Sequence, residues 1–257
     1  MISVTFDDLV RQLTDDQTPR VWSLLVSLFG ELAQDADAQI SGTLMARLTA
    51  LMGIKPEAVR VALHRLRKDG WIRSERRGRS SVYALTDWGR DQSAQATPRI
   101  YDLHPAPDTA WLVLLDPGAP AKNDESSVWV TANILITLNR TQGQTAFETL
   151  LDKDTRLPEW IADKVCPPEV AQLSRAFHTR LLHLQDALAG APPLDFFEAA
   201  ALRILVVDGW RRIVLRTPHM PPHVFPPGWA GKDCRRCFSA LLAAYPKTPL
   251  ADLETAL

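Results

Sequence analysis

Two amphipathic helical patterns separated by a very short turn constrain the fold of this 257-residue chain more than any other feature. Ser41 is a suitable N-cap for the first pattern, and Gly53 is the residue type expected just beyond the end of that helix. The turn is complete by Lys55. Pro56 suits the first position of the next helix, because its missing N–H would have no intrahelical partner there, and Gly70 is expected to end this helix. The sequence therefore predicts a helix-turn-helix unit.

A further helix and a β-hairpin are predicted on either side of this unit. Apolar residues recur at helical spacing over residues 21–33, which predicts an amphipathic helix. Residues 71–76 and 81–85 have the composition of short strands, and the turn-rich residues 77–80 separate them. Three helices followed by a hairpin are typical of a winged helix-turn-helix, which we place at roughly residues 19–95.

The last helix of the unit has an apolar side and a polar side. At 100° per residue its apolar residues cluster on one side, which we expect to pack on the two preceding helices: Ala58, Val59, Ala62, Leu63 and Leu66. The opposite side carries the residues that we predict to face DNA: Glu57, Arg60, Val61, His64, Arg67 and Lys68. An α-helix fits the major groove, where Arg can donate two parallel hydrogen bonds to a guanine edge. Arg60 and His64 are therefore our candidates for base contacts.

The charge of this region differs from that of the whole chain. The net charge of the chain is −1, yet residues 55–79 contain nine Lys or Arg and only three acids. Arg76, Arg77 and Arg79 flank the predicted hairpin tip, where a wing reaches a phosphate backbone or a minor groove. A charge run by itself is usually only a solvated face. Because this one coincides with an independently predicted recognition helix and wing, we expect salt-dependent binding of double-stranded DNA.

Three residues lie at the margins of the predicted DNA surface. Ser41 and Lys55, which precede the two helices of the unit, are included among the predicted DNA contacts. Arg65 lies near the edge of the packed side of its helix, so it could contact phosphate or only a neighbouring helix.

The rest of the chain predicts a mixed middle region and a helical end. The first ~20 residues give mixed signals, consistent with either a frayed arm or a short helix. The Pro-rich residues 98–107 follow a short helix that we expect to end near Gln95, and they predict a linker. After them, strands are predicted at 111–115, 128–131 and 134–138, with a polar loop at 118–126. Helices are predicted around 146–151, 159–164, 168–189, 195–216 and 231–244.

Several classes of protein are not supported by the sequence. The longest apolar stretches fall short of the ~20 residues that a membrane helix needs, and no secretion signal is recognisable, so we expect a cytoplasmic protein without a membrane partner. Nucleophile motifs and glycine-rich phosphate loops are absent, so we expect no enzyme and no cofactor. Cys166, Cys234 and Cys237 are sparse. The pair Cys234 and Cys237 lies in a helical pattern without a second pair, which favours packing over a metal site.

Several of these segments resemble the PaaX family of bacterial repressors. The longest and most specific is MGIKPEAVRVALHRLRKDGW at residues 52–71. It is preceded by RVWSLL at residues 20–25. Shorter matches continue with LTDWGR at 85–90 and PRIY at 98–101, and they resume with GWRRIVLR at 209–216 and PPHVFPPGW at 221–229. The resemblance touches most of the chain, with a loose match in the middle region.

The resemblance implies an α+β, mainly helical protein in three parts. These are a winged helix-turn-helix domain at residues 1–97, a ferredoxin-like middle domain at 98–167 and a helical C-terminal domain at 168–257. Members of the family repress genes of aerobic phenylacetate breakdown, bind DNA as dimers and leave it when phenylacetyl-coenzyme A binds. Carried over to this chain, the resemblance implies that the following residues read DNA: Lys55, Arg60, His64, Arg67 and Lys68.

One group of residues in the C-terminal region could bind such an effector. Arg203, Trp210, Arg211 and Arg212 include cations beside an aromatic side chain, a combination that could bind the phosphates and the adenine of a coenzyme A thioester. The alternative is a basic helix face paired with Glu198 or Asp208. Asp208 also stands where we expect histidine in many members of the family, which bears on the identity of the ligand.

The resemblance thus predicts a homodimer that places two recognition helices in successive major grooves of a palindromic operator. An aryl-acetyl-coenzyme A ligand, expected between the middle and C-terminal domains, would release the DNA by favouring a conformation in which the spacing of the helices no longer fits. Two alternatives remain open. One is a regulator with another ligand or none, and the other is an enzyme in which the winged helix serves only for protein interaction.

Overall fold

Helices dominate this computed structural model, which describes residues 5–14, 20–78, 80–101, 107–118, 126–140 and 146–257. The helices are Phe6–Thr14 (α1), Val21–Leu32 (α2), Gly42–Leu51 (α3), Pro56–Lys68 (α4), Asp87–Ile100 (α5), Glu159–Val165 (α6), Pro168–Ala189 (α7), Phe196–Val214 (α8), Gly231–Ala244 (α9) and Leu250–Thr255 (α10). The strands are Ile40–Ser41 (β1), Ile72–Arg77 (β2), Ser80–Leu85 (β3), Ala110–Leu115 (β4), Ser127–Trp129 (β5), Ile134–Thr137 (β6) and Ala146–Leu151 (β7). The protein is therefore α+β and mainly helical, as predicted. None of the described helices is both long and apolar enough to cross a membrane.

The two helices predicted on either side of the short turn are α3 and α4. The Ser41 hydroxyl accepts a hydrogen bond of 3.1 Å from the Leu44 N–H, which confirms the predicted N-cap. Gly53 has a φ of 72°, a left-handed conformation that is strained for residues with a Cβ. Pro56 lies in the first turn of α4. Local signals therefore determine where α3 ends and where α4 begins.

A three-stranded antiparallel sheet has the order β1-β3-β2, with β1 before α3 and the other two strands after α4. β2 and β3 pair from Ile72 with Leu85 to Arg77 with Ser80, which leaves a two-residue connection. Gly78, the first residue of that connection, has a φ of 60°, a left-handed conformation that glycine adopts without strain. The predicted hairpin is confirmed, whereas the two residues of β1 gave no signal in the sequence and become a strand only by pairing with β3.

α5 is longer than predicted. The prediction that this helix stops before a linker at Pro98 is wrong, because the helix continues through Pro98 to Ile100. Ile100 is buried, and the Arg99 guanidinium donates to the carbonyl oxygens of Val214 and Thr217 at 2.8 and 2.7 Å. These tertiary contacts stabilise a helical end that proline by itself disfavours.

A second antiparallel sheet has the strand order β5-β6-β4-β7. The prediction of a helix at residues 146–151 is wrong, since these residues form β7 and pair with β4 from Leu151 opposite Ala110 to Ala146 opposite Leu115. A run of six residues is too short to distinguish helix from strand by periodicity, and the backbone partner decides. Residues 102–106 of the predicted linker and 119–125 of the predicted polar loop lie outside the described residues.

One apolar core joins the two ends of the chain. α8 packs against α2, α3, α5, α7 and α9. Leu9, Val10 and Leu13 of α1 are buried where α1 contacts α7 and α8, so the short helix, and not the frayed arm, is present. α10, which was not predicted, contacts β1, where the Glu254 carboxylate accepts a hydrogen bond of 2.7 Å from the Ser41 N–H. Elements distant in sequence thus hold α2 and α3 in place.

Candidate nucleic-acid interface

α4 exposes one continuous arc of mostly polar side chains. Its apolar residues Val59, Ala62, Leu63 and Leu66 are buried, and the helix packs on α2 and α3. The residues predicted to face DNA all lie on the exposed remainder: Glu57, Arg60, Val61, His64, Arg67 and Lys68. The Arg60 side chain is 77% exposed, and its contact with Glu57 at 3.9 Å is a weak surface pair. The guanidinium therefore remains accessible to a partner.

The sequence of α4 explains why so basic a helix forms. Lys55 precedes it with extended backbone, and Glu57 lies in the first turn, where a negative charge interacts favourably with the helix dipole. Arg65, Arg67 and Lys68 lie in the last turn, where positive charges are favoured for the same reason. The helix thus concentrates positive charge at one end without a matching number of acidic partners.

A groove of about 210 Å³ separates α4 from the β-hairpin. Its polar lining comes from both elements: Arg60, His64 and Arg67 on the helix, and Ser74, Ser81 and Tyr83 on the strands. The groove combines guanidinium and hydroxyl donors, which are the side-chain groups that bind phosphate and sugar oxygens in protein–DNA complexes. The sequence predicts the helix side of this groove but not its strand side, because only the strand register shows that Ser74 lies opposite Tyr83.

The hairpin tip carries further positive charge. Arg76 and Arg77 are exposed, and the Arg76 Nε donates a hydrogen bond of 3.3 Å to the Gly78 carbonyl oxygen. Arg79, the third basic residue predicted for the tip, lies outside the described residues. The tip therefore offers at least two accessible guanidinium groups.

Ser41 and Arg65 occupy the margins of this surface. The hydroxyl of half-buried Ser41 caps α3, and its N–H is bound to Glu254, so its polar groups already have partners within the protein. Arg65 lies on the side of α4 nearest to α2, 3.5 Å from Asp69 and 5.7 Å from the centre of the Trp22 ring. The sequence left open whether Arg65 contacts phosphate or only a neighbouring helix, and the structure shows contact with the neighbouring helix α2.

Arg203 and Trp210 lie inside the protein. Arg203 forms an ion pair with buried Glu31 and donates to two carbonyl oxygens at the end of α9, at 3.1 and 2.9 Å. Trp210 is 1% exposed, and its Nε1 donates at 3.0 Å to the carbonyl oxygen of Ile100. These contacts hold α8 against α2, α5 and α9. Neither side chain can contact a ligand without opening the core.

Asp208 and Arg211 join α8 to α2. The Asp208 carboxylate is buried and accepts hydrogen bonds of 2.9 Å from Ser23 and 3.0 Å from Ser27. Arg211 lies 4.0 Å from this carboxylate and donates to the Ser23 hydroxyl at 3.2 Å. Burial raises the pKa of Asp208 and lowers the pKa of Arg211, because loss of water disfavours both charged forms. Arg211 and the next residue, Arg212, also line a cavity at the start of α2.

The three cysteines are buried thiols. Cys234 donates a hydrogen bond of 3.2 Å to the carbonyl oxygen of Ser174, and Cys237 packs beside it in the core. Burial raises the pKa of Cys166 and of Cys234 to about 12, so both thiols stay protonated near neutral pH and are poor nucleophiles. Among the described residues, no group of three or more His, Cys, Asp or Glu is placed to bind a metal ion.

Two family descriptions match the chain at separate places. A PaaX-like protein family matches residues 20–89, and a PaaX-like protein C-terminal domain matches residues 168–249. The first match runs from α2 into the first turn of α5 and contains the groove between α4 and the hairpin. The second begins with α7 and ends beyond α9, and it contains Asp208, Arg211 and Arg212.

Two individual proteins are similar over most of the chain. A solved structure, uncharacterized protein Rv0674 from Mycobacterium tuberculosis, aligns with 91% of this chain and 96% of its own at 18% identity and a TM-score of 0.44. The transcriptional repressor PaaX of Escherichia coli strain K12 is 30% identical, over 83% of this chain and 77% of that protein. The chain therefore belongs to the PaaX family of transcriptional repressors, which are regulators and not enzymes.

Proposed function

We propose that this protein represses transcription by reading an operator with a winged helix-turn-helix. In this proposal α3, the turn and α4 are the helix pair, and the hairpin of β2 and β3 is the wing. The observation that carries the proposal is the exposed arc of α4, where Arg60, His64 and Arg67 border the groove toward the hairpin. Family membership and the name of the E. coli relative support the role in repression.

The residues of this surface divide by the part of DNA that they would contact. Recognition helices contact base edges mainly through their N-terminal residues, so Arg60, in the first half of α4, is assigned to bases. His64 lies about one turn further along the same face and is assigned with it. Arg67 and Lys68, in the last turn of α4, and Lys55, in front of it, are assigned to phosphates. Arg76, Arg77 and Arg79 of the wing are assigned to the backbone or the minor groove of the same site.

Two copies of the chain would bind a palindromic operator. Dimers with this type of reading unit place their recognition helices about 34 Å apart, one turn of B-DNA. A homodimer is therefore the assembly that this proposal requires. A repressor that binds an operator acts on the chromosome, which in bacteria lies in the cytoplasm, so the proposal places this protein there.

The proposed domain organisation keeps the three parts implied by the family resemblance, at residues 1–97, 98–167 and 168–257. When the four strands of the middle sheet are numbered along the chain, they lie side by side in the order second, third, first, fourth. This order supports a ferredoxin-like arrangement. The described parts of its two crossover connections contain no helix, so the support comes from the strands.

We further propose, on the family resemblance, that the repressed genes serve phenylacetate breakdown and that an aryl-acetyl-coenzyme A such as phenylacetyl-coenzyme A releases the DNA. A ligand can shift the protein between two conformations only by binding one of them more tightly. The released conformation would therefore be the one that binds the thioester better and holds the two copies of α4 at the wrong spacing.

Fluorescence anisotropy on the DNA upstream of the protein's own gene tests the reading surface. Arg60→Ala should weaken specific binding by about 1–3 kcal/mol, or roughly 5- to 150-fold, if Arg60 contacts a base. Arg236→Ala is the matched control, because Arg236 is a 72% exposed arginine on α9, outside the proposed surface. Its operator affinity should equal that of the wild type.

Each result of this experiment has a definite meaning. Selective binding that weakens in Arg60→Ala but not in Arg236→Ala supports the proposal. Equal binding by both variants and the wild type removes α4 as the reading helix. If the wild type shows no sequence preference on this DNA or on a library of random duplexes at low salt, the proposed function is wrong.

A further inference from the structure

Val61 is an apolar side chain in the middle of a charged surface. It is 70% exposed, the largest value among the exposed large apolar side chains of the described residues. Its neighbours on the exposed arc of α4 are charged or polar and include Glu57, His64 and Lys68. Val61 therefore contributes little to the packing of the protein, and its presence on this arc needs another explanation.

Valine is also a poor choice for an exposed position in a helix. Its β-branched side chain loses rotamer freedom against the preceding turn, so alanine or lysine would stabilise the helix more. The two ends of α4 follow the usual preferences, with Pro56 and Glu57 in the first turn and basic residues in the last. Neither helix propensity nor packing explains Val61, whereas contact with a partner outside the chain does.

The side chain of Val61 lies on the side of α4 that faces away from the protein. The buried residues of the helix define the opposite side: Val59, Ala62, Leu63 and Leu66. At about 100° per residue, Val61 lies within about 30° of the direction opposite to the centre of that buried side. Arg60 lies about 70° from the same direction, toward the hairpin groove that it lines. Val61 is therefore central to the arc, and Arg60 flanks it.

The long side chains one turn away have other partners. Arg65, which follows Val61 by four residues, lies over the ring of Trp22 on α2. Glu57, which precedes Val61 by four residues, lies 3.9 Å from Arg60. The methyl groups of Val61 therefore remain accessible between two charged neighbours.

An accessible methyl group at this place favours one of the four bases. Thymine presents its C5-methyl group in the major groove, whereas the edges of the other three bases are distinguished by hydrogen-bond donors and acceptors. An apolar side chain set against a donor or acceptor excludes water without supplying a hydrogen bond, which costs free energy. Set against the thymine methyl group, it buries apolar surface on both partners.

We propose that Val61 is a specificity determinant that contacts the C5-methyl group of a thymine in each operator half-site, beside the base that Arg60 contacts. This inference rests on the proposed function, in which α4 is the reading helix, and it adds the identity of one base to that function. The surrounding cations bind phosphates without regard to sequence. The contact of Val61 depends instead on a single methyl group of the DNA.

Fluorescence anisotropy with modified operator duplexes tests this contact. Each thymine of one half-site is replaced in turn by deoxyuridine, which lacks only the C5-methyl group and pairs with adenine in the same way. At one thymine the replacement should weaken binding of the wild type roughly three- to fivefold, the effect of burying about one methyl group. The same replacement should leave the binding of Val61→Ala unchanged, because alanine does not reach that methyl group.

Two properties of the variants keep the result interpretable. Val61→Ala should be at least as stable as the wild type, because the exposed position loses no packing and alanine is the better helix former. Thermal unfolding followed by circular dichroism checks this. Leu182→Ala is the matched control, because it removes an exposed apolar side chain from α7, outside the arc of α4. It should respond to each replacement as the wild type does.

Two outcomes would overturn the contact and leave the proposed function standing. One is that no replacement weakens the wild type, although its operator binding is selective and depends on Arg60. The other is that a replacement weakens the wild type and Val61→Ala by the same factor, so that the methyl group acts through the shape of the DNA or through another residue. If the wild type binds no duplex selectively, the proposed function fails and the contact of Val61 fails with it.

Discussion

Arginine has opposite roles on the exposed arc of α4 and in the interface between α2 and α8. On α4 the arginines project into solvent, and the contact of Arg60 with Glu57 is long and exposed. In the interface, Arg203 pairs with Glu31, whose side chain is 2% exposed, and Arg211 lies beside buried Asp208. The same residue type is therefore exposed to solvent in one region and joins two halves of the protein in the other. Burial of the partner decides which role applies.

The largest expected effect is on stability and comes from Arg203→Ala. Removing Arg203 leaves the Glu31 carboxylate buried without its cation, which typically costs about 3–5 kcal/mol. Burial and the neighbouring Glu31 raise the pKa of Tyr101, so its hydroxyl stays protonated and still donates to Glu31, but it supplies no charge. Urea denaturation followed by circular dichroism measures the free energy of unfolding. A loss below about 0.5 kcal/mol, as expected for the exposed Arg236→Ala, would remove the distinction between the two regions.

A smaller effect, visible as a pH dependence, is expected for Asp208→Asn. Burial raises the pKa of Asp208 above its ordinary value of 3.8, although the hydroxyl groups of Ser23 and Ser27 act in the opposite direction. The native state therefore holds this proton more tightly than the unfolded chain. Its contribution to stability is present at low pH and is lost as the pH rises from 3.8 through the raised pKa.

The measurement for Asp208 is the free energy of unfolding of wild type and Asp208→Asn at a series of pH values from acidic to neutral. The wild type should lose stability relative to the variant as the pH rises. A difference that stays constant over this range would mean that the carboxyl group ionises in the native state as easily as in water. The interface would then be more hydrated than the buried geometry indicates.

The smallest expected effect concerns a single phosphate contact on the exposed arc. Lys68→Ala should weaken operator binding modestly and almost independently of sequence, and it should reduce the slope of log affinity against log salt by about 1. Lys232→Ala removes an exposed lysine from α9 and serves as the control. An unchanged salt slope in Lys68→Ala would limit the DNA surface to the side of α4 that faces the hairpin.

The sequence predicts the region around α4 well because the signals there are local. Ser41, Gly53 and Pro56 each act through their own backbone, so the turn between α3 and α4 can be read without knowledge of the rest of the fold. The middle sheet lacks such signals. Residues 146–151 become β7 only because β4 supplies backbone partners, and Pro98 stays helical only because Arg99 and Ile100 are anchored elsewhere.

The α4 arc and the cavity beside the end of α1 differ in the same way. Residues of the α4 arc share one helix, so their common face follows from a period of 3.6 residues. The cavity of about 310 Å³ beside the end of α1 is lined by residues that are distant in sequence, such as Arg20 and Arg180. No regular spacing predicts their proximity, which appears only when α7 and α8 are packed. For the same reason the sequence does not distinguish Arg203, which pairs with buried Glu31, from Arg212, which lines this cavity.

The burial of α2 has a consequence for how such a protein can change over time. Its residues Leu24, Leu25 and Leu28 are fully buried between neighbours that include α4 on one side and α8 on the other. A protein of this design is not modular. Grafting its first hundred residues onto a different C-terminal domain would leave one side of α2 and the carboxylate of Glu31 without partners. The N-terminal helices and the C-terminal bundle must therefore be inherited together, whereas the exposed side chains of α4 can be exchanged one at a time.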